Sequence, residues 1–292
     1  MAKRKVYFTK EITPESLVKI YEALGVEATG KVGVKISTGE AGGHNYLKPE
    51  LIKTLVNKLN ANILECNTAY AGKRNTTEAH LQTIHDHGFD AIATVDLMDK
   101  DGEIEIPANC KHLDVDIVGK TIANYDYIIN LAHFKGHAMG GFGGVIKNQS
   151  IGIASSNGKA YIHTAGATRN PNELWNNLPE QNAFLESMAE AAKAVSDYMN
   201  GHILYIAVMN NLSVDCDCDA NPEDPCMKDI GILASLDPVA VDQACIDKIW
   251  ESTDPGRDHF IERVERQNGR HILPYAESIG LGSREYELIE IA

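Results

Sequence analysis

The sequence predicts an α/β fold, with a mostly parallel open sheet and helices on both of its faces. Two observations carry this prediction. Short runs rich in β-branched residues alternate along the chain with longer segments whose apolar residues recur at helical spacing. Glycine-rich or polar loops follow several of the short runs, as expected where the strands of such a sheet end. Crossovers between its parallel strands are expected to be right-handed.

The predicted helices have recognisable beginnings and ends. Thr13-Pro14 begins a helix that Gly25 ends, and Pro49 begins a second helix with one apolar face. Asp237 is the predicted N-cap of a helix that starts at Pro238, because a carboxylate there accepts from free backbone N–H groups. Asp242 lies one turn later and could point at the same loop edge. Further helices are predicted over residues 77–87, 180–200, 259–266 and 274–279.

Strands are predicted from apolar runs and from alternation. The segments are residues 31–37, 63–66, 91–95, 127–132, 203–209 and 286–291, with a peripheral hairpin formed by residues 104–106 and 115–118. We expect the 203–209 strand to lie near the 127–132 strand. The chain is predicted to form a single α/β domain over residues 1–292. Residues 155–201 change to a polar character and are a candidate insertion or lid, the other interpretation being one more covering helix.

The composition excludes some classes of partner. The 292 residues carry a formal charge of −14, and such a surface repels the phosphate backbone of nucleic acids. No apolar run reaches membrane-spanning length, and no signal core follows the basic first residues. We therefore expect a cytoplasmic protein with no nucleic-acid or membrane partner. Six cysteines in a chain of this size are not a disulfide framework, so they are core residues or ligands.

A glycine-rich loop after the apolar run at residues 127–129 is the strongest functional signal. Glycine lets backbone N–H groups approach an anion closely, and open α/β sheets bind ligands at such strand ends. The loop matches neither standard nucleotide fingerprint, and each residue alone is also compatible with an ordinary turn. His133, Lys135 and His137 are the candidate catalytic residues, since histidine titrates near neutrality. The predicted anion-binding residues of the loop are Gly140, Gly141, Gly143, Gly144, Lys147 and Asn148.

Other polar residues follow neighbouring strands. Glu40, Asn67 and Arg74 are candidate ligand-binding residues because parallel strands end along one edge of a sheet. Arg74, Lys135 and Lys147 are therefore expected to converge on an anionic group. His80, on the helix at residues 77–87, is expected to be exposed.

An acidic, cysteine-containing segment follows the strand at residues 203–209. Repulsion among six carboxylates in residues 215–229 would be offset by a bound cation, and thiolates favour zinc or iron. The predicted ligands are Asp215, Cys216, Asp217, Cys218 and Cys226. Three cysteines are fewer than the four ligands of a closed site, so His133, His137, Cys245, water or substrate would complete the coordination. A solvated acidic loop and a carboxylate-only calcium site are the alternatives.

These segments together resemble the family catalogued as domain of unknown function 362, often described as iron–sulfur-centre proteins. The matching segments are 49–51, 67–74, 87–89, 133–137, 141–148, 215–218 and 229–240. Many members carry a ferredoxin-like insert with paired C-x₂-C runs, which implies electron transfer to or from the α/β body. Residues 159–200 of this chain contain no cysteine, so the resemblance does not extend to that insert.

The hypothesis from the sequence is a metal- or iron–sulfur-associated protein, redox-linked and acting on a small anionic molecule. The cofactor would be an iron or zinc ion or an iron–sulfur cluster, and an electron-transfer protein is a candidate partner. The alternative is a metal-free binding or regulatory module for a ligand that bears a phosphate or a carboxylate. A hydrolase or transferase has no supporting signature, because no serine lies in a nucleophile elbow.

Overall fold

The computed structural model describes residues 3–291, so Met1, Ala2 and Ala292 of the predicted domain lie outside the described residues. The strands are β1 (Arg4–Thr9), β2 (Val32–Lys35), β3 (Asn62–Glu65), β4 (Val95–Leu97), β5 (Glu103–Pro107), β6 (Val115–Gly119), β7 (Tyr127–His133), β8 (Lys135–His137), β9 (Gly141–Gly143), β10 (Ile203–Met209), β11 (Gly231–Ser235) and β12 (Tyr286–Glu290). The helices are α1 (Pro14–Ala23), α2 (Pro49–Lys58), α3 (Thr77–Asp86), α4 (Val145–Gln149), α5 (Ser156–His163), α6 (Gln181–Tyr198), α7 (Pro238–Glu251), α8 (Arg257–Arg266) and α9 (Ile272–Ser278). Short 3₁₀ turns lie at Lys120–Asn124, Pro171–Asn176 and Gly269–His271.

Eight strands form one sheet in the order β12-β1-β11-β10-β7-β2-β3-β4. Strand β11 runs antiparallel to both of its neighbours, and every other pair in the sheet is parallel. The predicted α/β class with a mostly parallel sheet is therefore confirmed. The predicted neighbourhood of residues 203–209 and 127–132 is also confirmed, since Ile203 pairs with Ile128 and Val208 with His133.

Alternation along the central strands explains why both faces of the sheet are covered. In β7, Ile129 and Leu131 point into a core shared with α1 and α2, whereas Ile128 and Ala132 point into a second core. That second core also contains buried residues of α4, α6 and α7. A strand that is buried on both faces has a continuous apolar sequence, and residues 203–209 are an example.

Some predicted elements differ from the structure. The strand expected at residues 91–95 lies at Val95–Leu97, because the amides of Ile92 and Ala93 fold back onto the carbonyl of Phe89. Strands β1 and β11 were not predicted. The predicted peripheral hairpin is present as β5 and β6. In the candidate insertion at residues 155–201, α6 contributes apolar side chains to the second core. None of the helices described here combines the length and apolar character needed to cross a membrane.

The N-cap predicted at Asp237 is present in the structure, at the start of α7. One carboxylate oxygen of Asp237 accepts from the amides of Val239 and Ala240, each at 3.0 Å, and the other accepts from the amide of Ser283.

Asp237→Ala should lower the free energy of unfolding by about 1–2 kcal/mol, since it removes the cap of α7. Urea denaturation measures this change. Asp101→Ala, in an exposed turn, is the control, with an expected change within about 0.5 kcal/mol. Equal effects of the two substitutions would contradict the cap's role.

Candidate functional site

A small polar cavity lies at the carboxyl ends of the parallel strands. Lys35 and Glu65 are the last residues of β2 and β3, and Lys135 follows β7 closely. Lys147 on α4 and Lys159 on α5 approach from the side. The cavity measures about 50 Å³ and is lined by Lys35, Ser37, Glu65, Cys66, Thr68, Tyr70, Arg74, Lys135, Gly144, Lys147, Asn148, Ile151, Gly152, Lys159, Cys216 and Cys218. The expected convergence of Arg74, Lys135 and Lys147 is thus present in the structure.

A buried carboxylate holds two of these cations in place. Lys35 Nζ lies 3.0 Å from one oxygen of Glu65, and Arg74 Nη1 lies 3.2 Å from the other. Arg74 Nε also contacts Glu40, at 3.3 Å, so the predicted ligand-binding Glu40 pairs with an arginine of the cavity wall. Burial alone would raise the pKa of Glu65, but Lys35 and Arg74 lower this pKa to about 2. Glu65 is therefore a carboxylate that fixes cations.

A second buried carboxylate, Asp217, holds the catalytic candidates His133 and Lys135. His133 Nδ1 lies 2.7 Å from Asp217 Oδ1, and Lys135 Nζ forms an ion pair with Oδ2 at 3.0 Å. Nε2 of His133 lies 2.6 Å from the carbonyl oxygen of Asn210. Burial would raise the pKa of Asp217, but His133 and Lys135 lower it below its usual value. Asp217 thus binds protein cations, and both ring nitrogens of His133 already have partners.

Two sulfurs and an imidazole meet at the wall of the cavity. The ligand atoms of His137, Cys216 and Cys218 all lie within 4.8 Å of one another. Lys147 Nζ lies 3.6 Å from Cys216 Sγ. A hydrogen bond from Cys218 lowers the pKa of the Cys216 thiol well below its usual value, and Lys147 and His137 lower it further. The same pairing raises the pKa of Cys218, so the two sulfurs share one proton.

The hydrogen bonds of His137 determine which proton it carries. Its Nδ1 accepts from the amides of Gly140, at 2.8 Å, and Met139, at 3.2 Å. Since Nδ1 is an acceptor, the proton of the neutral ring belongs to Nε2, and the ligand atoms of His137 and Cys216 lie within 4.8 Å of each other. A metal-bound histidine normally presents a bare nitrogen to the metal and donates through the other one. Cys216 and Cys218 therefore fit a thiophilic metal, whereas His137 is arranged to donate to sulfur.

Two predicted metal ligands lie away from this group. Cys226 Sγ donates to the carbonyl oxygen of Leu212 at 3.3 Å, and it is not among the grouped ligand atoms. Asp215 forms an ion pair with Arg263 at 2.8 Å. Cys226 Sγ thus contacts the segment that follows β10, and Cys226 does not line the cavity. The proposed centre therefore omits Cys226 and Asp215, and it omits Asp217 because that carboxylate holds His133 and Lys135.

Most of the predicted anion-binding glycines contact other parts of the protein and do not line the cavity. Gly141 and Gly143 lie in β9 and pair with β8, and the amide of Gly140 is bound to His137. The first free amides of α4 donate to Asp242, at 2.8 and 3.0 Å, so the end of this helix is already occupied. A Cβ on Gly144 would lie 2.1 Å from Asp242 Oδ1. Of the four predicted glycines, Gly144 alone lines the cavity.

Two predicted asparagines hold neighbouring groups. Asn148 donates to Asn130, at 2.8 Å, and to the carbonyl of Lys35, at 3.0 Å, while it lines the cavity. Asn67 donates to Thr77, at 3.0 Å, and its carbonyl oxygen faces His80 Nδ1 at 3.2 Å. The prediction that His80 is exposed was wrong, because its ring is fully buried between Asn67 and Thr38.

Three charged residues of the cavity were missed as candidates: Lys35, Glu65 and Lys159. Lys35 and Glu65 are each the last residue of an apolar strand. A charged residue at that position is the signal from which they could have been identified. Lys159 is 3% exposed and donates to the carbonyl of Ala154 at 2.6 Å. Nothing in its local sequence separates this lysine from a surface lysine.

The comparison with known families gives a family membership. Residues 32–247 match the sequence profile of the family described as Domain of unknown function (DUF362). Because the match covers well over half of the sequence, the chain belongs to this family, and the resemblance inferred from the motifs is confirmed. Among proteins with curated descriptions, none matches the sequence.

Two solved structures are similar to this chain. The lactate racemase apoprotein from Thermoanaerobacterium thermosaccharolyticum is 16% identical with a TM-score of 0.48, and the match covers 83% of this chain and 56% of the racemase. A protein from Thermotoga maritima is 14% identical with a TM-score of 0.43, and the match covers 80% and 57% of the two chains. This chain therefore spans a little over half the length of each.

The Glu65 network has a measurable pH dependence. Since the folded-state pKa of Glu65 lies below its usual value of 4.5, its stabilising effect is fully present above pH 4.5 and declines as pH falls towards 2. Glu65→Gln leaves Lys35 and Arg74 without their shared carboxylate and should cost about 3–5 kcal/mol at pH 7. Urea denaturation at several pH values measures the difference, which should shrink below pH 4.5.

The exposed Glu262→Gln on α8 is the matched control, and its effect should stay within about 0.5 kcal/mol. A loss at Glu65 as small as that of the control would contradict the assignment.

Proposed function

We propose that this protein is a redox-linked enzyme that binds a small anionic molecule in the cavity, with Cys216 and Cys218 as its reaction centre. The observation that carries the proposal is the meeting of five cations and two sulfurs at one small cavity. An anion held there would lie beside the sulfur atoms and away from bulk water. Electrostatic interactions are stronger in such surroundings than in water.

The charge balance of the cavity supports an anionic ligand. Lys35 and Arg74 share Glu65, and Lys135 is paired with Asp217. Within residues 3–291, Lys147 and Lys159 form no ion pair with a carboxylate. Their contacts are Cys216 Sγ for Lys147 and a backbone carbonyl for Lys159. Lys159 is 3% exposed and, among the described residues, hydrogen-bonds only a backbone carbonyl, whereas Lys147 is partly buried beside the Cys216 sulfur. Burying an ammonium group without an anionic partner is costly, and an anion bound next to Lys159 would offset this cost.

The volume of the cavity limits the anionic group. A water molecule needs roughly 10–15 Å³ of such space, and the cavity measures about 50 Å³. This suits one phosphate or carboxylate group or a few waters. Lysine ammonium groups bind either anion as point charges, so the chemistry of the cations does not choose between them.

The sulfur pair supports the redox part of the proposal. Oxidation of the Cys216 thiolate and the Cys218 thiol to a disulfide would release two electrons and one proton to an acceptor. The low pKa of Cys216 provides a thiolate, which is the reactive form of cysteine. His137 lies close enough to the two sulfurs for its Nε2–H to donate a proton to one of them. An electron-transfer protein is the proposed source or acceptor of electrons.

A metal-loaded centre is the second candidate, and the grouping of the three potential ligand atoms favours it. Cys216 and Cys218 would hold iron or zinc, with the remaining positions filled by the anion, by water, or by His137 after its Nδ1 contacts rearrange. Iron would supply electron transfer, and zinc would supply a Lewis acid. A four-cysteine cluster would need ligands beyond this group, because such clusters are held by four thiolates.

Binding of a simple anion tests the ligand part of the proposal. Calorimetric titration with inorganic phosphate and with acetate should detect binding of at least one of them. Lys147→Met should weaken that binding about tenfold or more, because a charge-assisted contact is lost. Lys120→Met, at an exposed position, should leave the affinity unchanged. The ligand part fails if neither anion binds to the parent protein, or if both variants bind as the parent does.

Metal analysis tests the second candidate. Protein purified without oxygen should contain about one equivalent of iron or zinc if the centre is metal-loaded. Cys216→Ser and Cys218→Ser should each lose the metal, and Cys226→Ser, in the same segment, should retain it. Less than about a tenth of an equivalent in the parent would remove the metal candidate.

The metal-free dithiol is tested separately. Under mild oxidation the parent and Cys226→Ser should each lose two titratable thiols reversibly, and the other two variants should not. A parent that keeps both thiols under oxidants that form protein disulfides would contradict the redox role. If metal analysis has also removed the second candidate, the protein is the metal-free binding module that is the alternative.

A further inference from the structure

A second cavity adjoins the basic one. It measures about 460 Å³, and Thr68 and Tyr70 line both cavities. Its far wall is formed by Pro171, Asn172 and Trp175 of the 3₁₀ turn, in the segment predicted as a candidate insertion or lid. The two cavities are therefore an inner and an outer compartment that meet at Tyr70.

The outer cavity has the opposite chemistry to the inner one. None of the described residues that line it is charged, whereas five cations line the inner cavity. Tyr70 and Trp175 face each other with ring centroids 6.3 Å apart and an angle of 49° between the rings. Trp175 is 55% exposed, an unusual position for a large apolar side chain. The side-chain amides of Asn75 and Asn172 add hydrogen-bonding groups to this wall.

Tyr70 connects the outer surface to the reaction centre. Its side chain lines both cavities, and Cys218 lines the inner one beside it. A flat group that packs on this ring would therefore lie next to the inner cavity, which Cys216 and Cys218 line. An anionic substituent on such a group would point towards Lys147 and Arg74, which line the inner cavity.

We infer that the ligand has two parts, an anionic head group in the inner cavity and a planar aromatic group in the outer cavity that packs against Tyr70 and Trp175. This inference rests on the proposed anion site and names the substrate class for it: a small aryl or heteroaryl molecule that carries a phosphate or a carboxylate. Aromatic side chains hold flat rings through stacking and apolar contact, and the neighbouring amides suit ring heteroatoms. The open outer cavity has room for a ring that the inner cavity does not have.

Matched ligand pairs test the inference. Phosphate is compared with phenyl phosphate, and acetate with phenylacetate, by calorimetric titration of the parent, Trp175→Ala and Trp175→Phe. At least one aryl anion should bind the parent about tenfold more tightly than its simple counterpart, as a stacked ring contributes. Trp175→Ala should remove most of that gain and leave the affinity for the simple anion within about twofold, and Trp175→Phe should keep most of the gain. Tyr198→Ala, an exposed aromatic residue on α6, is the control and should change neither affinity.

The outcomes separate this inference from the proposal on which it rests. If no anion of either pair binds, the proposed function itself fails. If a simple anion binds but its aryl counterpart binds no more tightly, the two-part ligand is wrong and the anion site stands. If Trp175→Ala weakens simple and aryl anions equally, Trp175 acts through the inner cavity and not through a ring contact, which also overturns the inference.

Discussion

Buried cations held by buried carboxylates are the constraint on which the rest of this structure depends. Glu65, at the end of β3, contacts both Lys35 and Arg74, and Asp217 contacts His133 and Lys135. Each buried charge carries a desolvation penalty of several kcal/mol, so it persists only with well-placed partners. Parallel strands supply that placement because they end at one edge of the sheet. The cavity and the positions of its lysines follow from these pairs.

In the acidic segment, residues 215–229, pairing with the protein's own cations replaces the metal cation that the charge pattern suggested. Six carboxylates in residues 215–229 suggested that a metal cation offsets their repulsion. In the structure, Asp215 is neutralised by Arg263, and Asp217 by His133 and Lys135. The cations are side chains of the protein itself, brought from distant parts of the chain. With these carboxylates paired, Lys147, whose Nζ lies 3.6 Å from Cys216 Sγ, stabilises a thiolate there with or without a metal.

Local signals in the sequence predicted most helices, most strands and the parallel character of the sheet, because periodicity and capping are properties of neighbouring residues. The short helices α4 and α5 were not predicted. Strands β1 and β11 were missed, although their apolar side chains belong to the two cores, Val6 and Leu233 to the second and Ile232 to the first. At the site, strand-end position correctly brought Arg74, Lys135 and Lys147 together. Lys159 was missed because its burial is decided by contacts remote in sequence. Which sulfurs meet His137 depends on a turn in the chain that cysteine spacing does not encode.

The central claim is that Cys216 faces a cationic cavity that holds an anion. It is tested most directly by alkylation of the native protein with iodoacetate, which is anionic, and iodoacetamide, which is neutral, followed by mass spectrometry of the labelled peptides. The ratio of the two rates at Cys216 should be higher in the folded protein than in the same protein unfolded in urea, because the cavity attracts the anionic reagent. Added phosphate or acetate should slow the labelling of Cys216 by iodoacetate. A ratio that folding leaves unchanged, or labelling that neither anion slows, would contradict the account.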